Sequence, residues 1–325
     1  METCLGIEST AHTFGVGVVK GKKVLANVKD AYTTEKGGII PVDAAKHHER
    51  VYQNVIDSAL EKAGIKLDDV SLVSYSRGPG MGPCLRVGLN VAKEIFKKNK
   101  ILLVGINHCV AHLSIGNLTT GAKDPVLLYV SGANTQVIAY EGKKYRIFGE
   151  TLDQGVGNFL DAFARYIGLG FPGGPKLYEL SLKSKNLIEL PYSVKGMDVS
   201  VSGLLTNLKQ KYDSKKYRIE DLAYSAQETV FAMLLEVSER AMAHCKKDEL
   251  LLGGGVACNK RLQEMAKIMC KERDAKCFIP PNEFLIDNGG MIAWQGILEK
   301  KNSVNPEKAD IRPYERTDDI AVNWL

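Results

Sequence analysis

The chain runs strand, polar turn, strand, strand, helix, and then runs through the same order a second time. No other feature constrains its fold as strongly, because an internal repeat of this kind predicts two related α/β units. In the first half, residues 4–10 and 13–19 read as strands joined by a short polar turn, with a third strand over residues 23–28. Three consecutive strands suit an antiparallel meander that opens a mixed sheet. After the break Gly37-Gly38-Ile39-Ile40-Pro41, residues 42–62 have helical periodicity, with Pro41 suitably placed at the start. The polar link over residues 118–125 ends the first half. Strands over 126–131, 135–140 and 144–149 and a helix over 155–169 then repeat the pattern. The expected domains are residues 1–121 and 122–325, facing each other across a cleft, with the last helix free to pack back onto the first domain.

Composition narrows the class. No run of eighteen apolar residues occurs, and the N-terminus enters directly into a strand-like segment. Neither a membrane span nor a signal peptide is therefore expected. The seven cysteines are odd in number and lack Cys-x-x-Cys spacing, which suits reduced cytosolic thiols. A net charge of +5 permits a nucleic-acid partner without demanding one.

His108 and His112 stand four apart, directly after the apolar run over residues 101–105. If a strand ends near Asn107 and a helix begins there, both imidazoles share one helix face and can hold one divalent metal. A lone pair of this spacing more often simply packs. The metalloprotease version carries Glu directly after the first His; here that residue is Cys109, which disfavours peptidase chemistry. Ser131-Gly132-Ala133 forms a tight turn between two β-rich runs, shaped for phosphate or simply for a hairpin. The loop Arg77-Gly78-Pro79-Gly80-Met81-Gly82-Pro83, between a strand and a helix ending in Lys93, Lys97, Lys98 and Lys100, is a further ligand edge. His47 and His48, adjacent on a helix, point in different directions, and surface or interface roles are expected. Residues 208–218, with five cations and two tyrosines, are the best basic–aromatic stretch for nucleic acid, the plainer reading being a solvated face. The strand over 250–252 runs into Gly253-Gly254-Gly255, where bare backbone could lie flat against a base or ribose and Asn259 could offer its amide. Asp287 precedes the last helix, either as its N-cap or as a metal ligand.

In this order the pieces resemble the universal tRNA threonylcarbamoyladenosine synthase family, and within it the archaeal and eukaryotic metal-bearing subunit of the KEOPS complex. The resemblance runs nearly end to end. Its motifs are Gly6-Ile7-Glu8-Ser9-Thr10-Ala11, Gly38-Ile39-Ile40-Pro41, Gly78-Pro79-Gly80-Met81-Gly82, Asn107-His108-Cys109-Val110-Ala111-His112 and Tyr129-Val130-Ser131-Gly132-Ala133-Asn134-Thr135-Gln136. Val156-Gly157-Asn158-Phe159-Leu160-Asp161, Phe171-Pro172-Gly173-Gly174-Pro175, Gly254-Gly255-Val256-Ala257 and Asp287-Asn288-Gly289 complete the set.

The resemblance implies the actin-like, sugar-kinase and heat-shock ATPase fold, an α/β architecture of two RNase H-like domains around a cleft. It implies one divalent metal, iron ahead of zinc, on His108, His112, Tyr129 and Asp287. It also implies an adenylate nucleotide, threonylcarbamoyl-AMP or ATP. Tyr129 and Val130 would contact the substrate or nucleotide, the turn Ser131-Gly132-Ala133 would hold its phosphate, Asp161 and Gly174 would contact the ribose region, and Asn259 would sit near the nucleoside. Where the family commonly has Glu three residues after the Gly-Gly-Pro proline, this chain has Tyr178, which accepts a hydrogen bond without a charge. The implied activity transfers a threonylcarbamoyl group to the N6 amine of the adenosine beside the anticodon, in tRNAs that read codons beginning with A. The implied partners are tRNA, a small protein kinase that some relatives carry fused, and a dimerising subunit, in the cytoplasm and without a membrane. The rival readings are an ATP-binding or ATP-hydrolysing protein of the same fold, a metal-dependent peptidase (an old label for the family), and a non-catalytic scaffold.

Overall fold

The computed structural model describes residues 2–34, 38–99 and 101–324; Gly37 of the expected break and Lys100 of the lysine-rich helix end lie outside them. Strand β1 (Thr3–Glu8) is buried along its whole length, β2 (Thr13–Lys20) pairs with it antiparallel, and β3 (Lys23–Ala31) completes a meander. Helix α1 (Pro41–Ala63) starts on its proline and ends at Gly64, whose left-handed backbone (φ +66°) closes the last turn. Next come β4 (Leu72–Gly78), α2 (Gly82–Asn99), β5 (Leu102–Asn107) and α3 (His108–Thr120). The two new strands lie parallel beside β1, giving the order β3-β2-β1-β4-β5.

The second half builds its own sheet. β6 (Val126–Val130), β7 (Thr135–Glu141) and β8 (Lys144–Glu150) form the meander. They are followed by α4 (Val156–Tyr166), α5 (Gly173–Ser181), the short pair β9 (Val194–Lys195) and β10 (Asp198–Val199), α6 (Ser202–Asp213) and α7 (Ile219–Cys245). β11 (Glu249–Gly253), α8 (Lys260–Glu272) and β12 (Lys276–Phe278) complete it, in the order β12-β11-β6-β7-β8 with β11 parallel to β6 and β12. Each sheet is thus a three-strand meander whose first strand carries two parallel strands on its other side. The repeat read over three strands extends to five.

Short helix α9 (Asn282–Leu285) and helix α10 (Gly289–Leu298) then return to the first sheet. The expected division left the last helix free to pack back onto the first domain, and the return begins at Pro281. Residues Pro281–Leu325 belong with Met1–Thr34 and Gly38–Gly121, and the second unit is Ala122–Pro280 rather than everything to residue 325. The physical reason is a glycine seam. A Cβ on Gly6 would lie 2.1 Å from the backbone N of Ala293, one on Gly17 2.2 Å from that of Gly290, and one on Gly289 2.1 Å from that of Gly17. Only bare backbone allows helix and strands to approach so closely. Met291, Ile292 and Ala293 join Val104, Ile106, Ala111 and Ile115 in one buried cluster. Ser74 Oγ donates to Ile292 O (2.8 Å) and Trp294 Nε1 to Ser114 O (3.1 Å).

One further expectation changes. His47 and His48 are buried, not superficial; His47 Nε2 meets Asp30 Oδ1 at 3.0 Å, and His48 Nε2 donates to Ala11 O at 3.0 Å. Burial pushes the His48 imidazole down to about 4, so it is neutral at physiological pH. The motif at 171–175 contains a helix start, because Asp161 Oδ1 accepts from the N–H groups of Gly173 (2.7 Å) and Gly174 (3.2 Å). Pro175 is tolerated because it falls in the first turn, where no intrahelical donor is needed. Among the described residues no helix is long and apolar enough to cross a membrane.

Candidate metal centre and nucleotide cradle

In the first unit, Asn107 ends β5 and caps α3, its Oδ1 accepting from the N–H groups of Cys109 (3.0 Å) and Val110 (3.2 Å). That cap puts His108 on the first turn and His112 one turn later, with ring centroids 4.8 Å apart. The last helix is capped by Asn288, whose side chain accepts from Met291 N at 2.9 Å, so Asp287 is not the cap. Its carboxylate instead faces the histidines. Oδ1 lies 3.3 Å from His108 Nε2 and 3.4 Å from His112 Nε2, and the three ligand atoms lie within 4.8 Å of one another.

These separations test whether a metal fits. They are long for N–H···O hydrogen bonds. They match the spacing of two ligands each about 2.1 Å from one tetrahedral ion. Burial raises the Asp287 carboxyl, but the adjacent imidazoles of His108 and His112 outweigh it and hold the group well below the usual carboxylate range. Burial lowers His112. One ionised carboxylate and a neutral imidazole are the protonation states that ligation requires.

Sequence reasoning missed Glu8, at the end of β1. Its fully buried carboxylate accepts from His108 Nδ1 at 3.0 Å through Oε2, and from Thr10 N at 2.7 Å and Thr10 Oγ1 at 2.5 Å through Oε1. A carboxylate only accepts, so Nδ1 carries the proton and Nε2 turns its lone pair toward Asp287 and His112. The available signal was a charge at the end of a buried strand, where none survives without a partner. Ser9-Thr10 read merely as turn residues. Glu8→Gln is expected to weaken metal retention by roughly 10- to 100-fold, because the amide can place either an oxygen or an N–H against Nδ1 and no longer fixes the tautomer. Metal competition against a chelator checks this, and unchanged retention would show that Glu8 is only structural.

The loop over 77–83 is not an open ligand edge. Arg312 N donates to Arg77 O (2.8 Å), Gly80 N to Pro313 O (3.1 Å), and Arg77 Nη2 pairs with the buried Glu315 at 2.9 Å.

In the second unit, the turn after β6 is held by Ser131. Its N–H and its Oγ both donate to Asn134 O (2.8 and 2.9 Å), so its own N–H is not available to a ligand. The N–H groups of Gly132 and Ala133, both exposed, donate to no acceptor among the described residues. Helix α4 starts flush against this turn, Gly157 N donating to Ser131 O (3.0 Å) and Asn158 N to Gly132 O (2.8 Å). A Cβ on Gly157 would meet Gly132 Cα at 2.6 Å. Gly254 (φ +88°) presses on Val130 in the same way, where a Cβ would lie 2.3 Å from its carbonyl oxygen. A bare turn beside a helix N-terminus suits an anionic group. Asp161 joins Gly174 through the hydrogen bond described above, and Tyr178 is half-buried on α5. Asn259 caps α8, accepting from Arg261 N (2.9 Å), while its Nδ2 donates to Gln227 Oε1 (2.5 Å), so both ends of the amide already have partners. Tyr129 is buried near the end of β6, in this second unit, whereas His108, His112 and Asp287 belong to the first.

Residues 23–294 match the TsaD family, described as tRNA N6-adenosine threonylcarbamoyltransferase. A Thermococcus kodakarensis protein of that name is 54% identical over 322 residues, covering 98% of this chain and 99% of that one. The Methanocaldococcus jannaschii probable bifunctional tRNA threonylcarbamoyladenosine biosynthesis protein is 50% identical over 325 residues, covering 99% of this chain but 60% of its own length. Among solved structures, full-length HypF in its phosphate- and nucleotide-bound form superposes with a TM-score of 0.65 at 11% identity, covering 92% of this chain and 55% of that one. The activator of 2-hydroxyisocaproyl-CoA dehydratase from Clostridium difficile, with bound ADPNP, gives 0.55 at 13% identity, covering 92% and 96%. At such identities the likeness carries the fold alone, which is the actin-like ATPase fold. The length and identity of the sequence matches carry more: the chain belongs to the tRNA N6-adenosine threonylcarbamoyltransferase family.

Proposed function

We propose that this enzyme transfers threonylcarbamoyl from threonylcarbamoyl-AMP to the N6 amine of the adenosine beside the anticodon, in tRNAs reading codons that begin with A, and that it needs a divalent metal to do so. The observation that carries the metal requirement is the cluster of His108, His112 and Asp287 at ligand spacing, with Glu8 behind His108. The family resemblance adds Tyr129 as an oxygen ligand and favours iron over zinc, although a mixed nitrogen and oxygen set suits either.

An aromatic amine is a weak nucleophile, so the acyl group must be activated. The amine nitrogen forms its bond to the carbamoyl carbon, the bond from that carbon to the phosphate oxygen of AMP breaks, and the amine gives up one proton. A divalent cation at the cluster supplies Lewis-acid polarisation of the acyl group. The chain's own part is orientation. Glu8 fixes the tautomer of His108, and the Gly132 and Ala133 N–H groups stabilise charge on the departing phosphate. Asp161, Gly174, Tyr178 and Asn259 stand as the ribose and nucleoside side of the adenylate, with Asn259 acting through the ordered start of α8. The target base lies in a single-stranded loop, so little unpairing is required to present it.

We assign the partners as tRNA, a small kinase subunit and a dimerising subunit of a KEOPS assembly, in the cytoplasm; relatives named bifunctional extend beyond the length matched here. The test is incubation of the full chain, alone and with such partners, with threonylcarbamoyl-AMP and unmodified tRNA. Modified adenosine is the expected product. ATP hydrolysis without transfer, or cleavage of peptides, would instead favour the rival readings.

A further inference from the structure

Helix α6 and the segment after it form a strongly cationic surface of the second unit. Residues 208–218 hold Lys209, Lys211, Lys215, Lys216 and Arg218 against one carboxylate, Asp213, which accepts from Tyr166 at 2.6 Å. Leu204 and Leu208 are buried and anchor the helix by its other side. Three of the lysines rest on tyrosine rings. Lys209 Nζ lies 5.0 Å from the Tyr166 centroid, Lys211 Nζ 4.8 Å from that of Tyr217, and Lys215 Nζ 4.2 Å from that of Tyr212. Tyr166 and Tyr217 are 42% and 38% exposed.

Like most lysines of the chain, Lys209, Lys211, Lys215 and Lys216 meet no carboxylate among the described residues; this face stands apart because the three lysine-on-ring contacts among the described residues all fall on it. A carboxylate neutralises an ammonium, but a ring face holds it in place and leaves its charge intact. Long side chains so ordered lose less freedom when an anion arrives. A plain solvated face needs no such rings.

We propose that this face, made by α6, the end of α4 and residues 214–218, grips the phosphate backbone of the tRNA substrate; the assignment rests on the tRNA-modifying function proposed above. The contact is to phosphate, not to base edges, so it adds affinity and orientation without sequence preference.

The test uses the full chain with its partner proteins and a quadruple variant, Lys209→Gln, Lys211→Gln, Lys215→Gln and Lys216→Gln. Affinity for unmodified tRNA is expected to fall roughly 10- to 100-fold, and the slope of log K against log salt to flatten by about 3, since each lost phosphate contact removes about 0.7 to 0.9. The corresponding Lys→Arg variant should keep wild-type binding, and transfer at saturating tRNA should be unchanged in both. Wild-type affinity and slope in the glutamine variant would overturn the proposal while leaving the function intact. Unchanged tRNA affinity with loss of an acidic protein partner would reassign the face to protein. Failure of the wild-type chain to bind or modify tRNA would overturn the functional reading, and this one with it.

Discussion

Alanine at His108 or at His112 is expected to abolish both metal binding and threonylcarbamoyl transfer, but only the first substitution should also cost substantial stability. Each removes one of the proposed ligands, and those that remain hold a divalent ion weakly. The difference lies behind the ligands. His108 also serves Glu8, whose carboxylate is fully buried and keeps only Thr10 once the imidazole is gone. Leaving a buried acceptor unsatisfied costs about 1–3 kcal/mol, more when it is charged. The group facing His112, Asp287, is 18% exposed and can take water in its place. Thermal melts of the two variants, beside their metal content, check the ordering. Equal stability loss would mean that Glu8 does not depend on His108.

The second large effect concerns a residue that never touches substrate. Gly289→Ala is expected to destabilise the fold by about 1–3 kcal/mol or more and to lose metal as well. The added methyl would meet Gly17 N at 2.1 Å and Val16 carbonyl carbon at 2.3 Å, both backbone atoms that no rotamer change can move aside. Helix α10 must lift off β2, and Asp287, two residues upstream, lifts with it. Gly203→Ala, at a helical glycine with open space around it, should be neutral or slightly stabilising. Denaturant midpoints separate the two. A Gly289→Ala protein of wild-type stability that still binds metal would refute the seam as the device that delivers Asp287.

How much of this was legible in the sequence depends on the range of the interaction. The two meanders and the long helices follow from periodicity, and the His108/His112 pair from spacing on one helix. The sequence left the last helix free to pack back onto the first domain, but it did not show what would seat it there. That seat depends on glycines separated by more than 270 residues in sequence (Gly6, Gly17 and Gly289), whose shared property is having no side chain. Helix α5 hid because Gly-Gly-Pro reads as a breaker until Asp161 supplies acceptors for its first N–H groups. The role of Asp287 turned on one neighbour. Asn288 takes the cap and leaves the carboxylate for the histidines. Glu8 escaped notice because its partner is 100 residues away and its own neighbourhood resembles an ordinary turn.

The most direct test of the central claim is elemental analysis of anaerobically purified wild-type and His112→Ala protein, with transfer to tRNA measured on the same samples. About one iron or zinc per chain is expected in the wild type and none in the variant, with transfer tracking the metal. Wild-type protein that carries no metal after incubation with ferrous iron or zinc, yet modifies tRNA at full rate, would contradict the account.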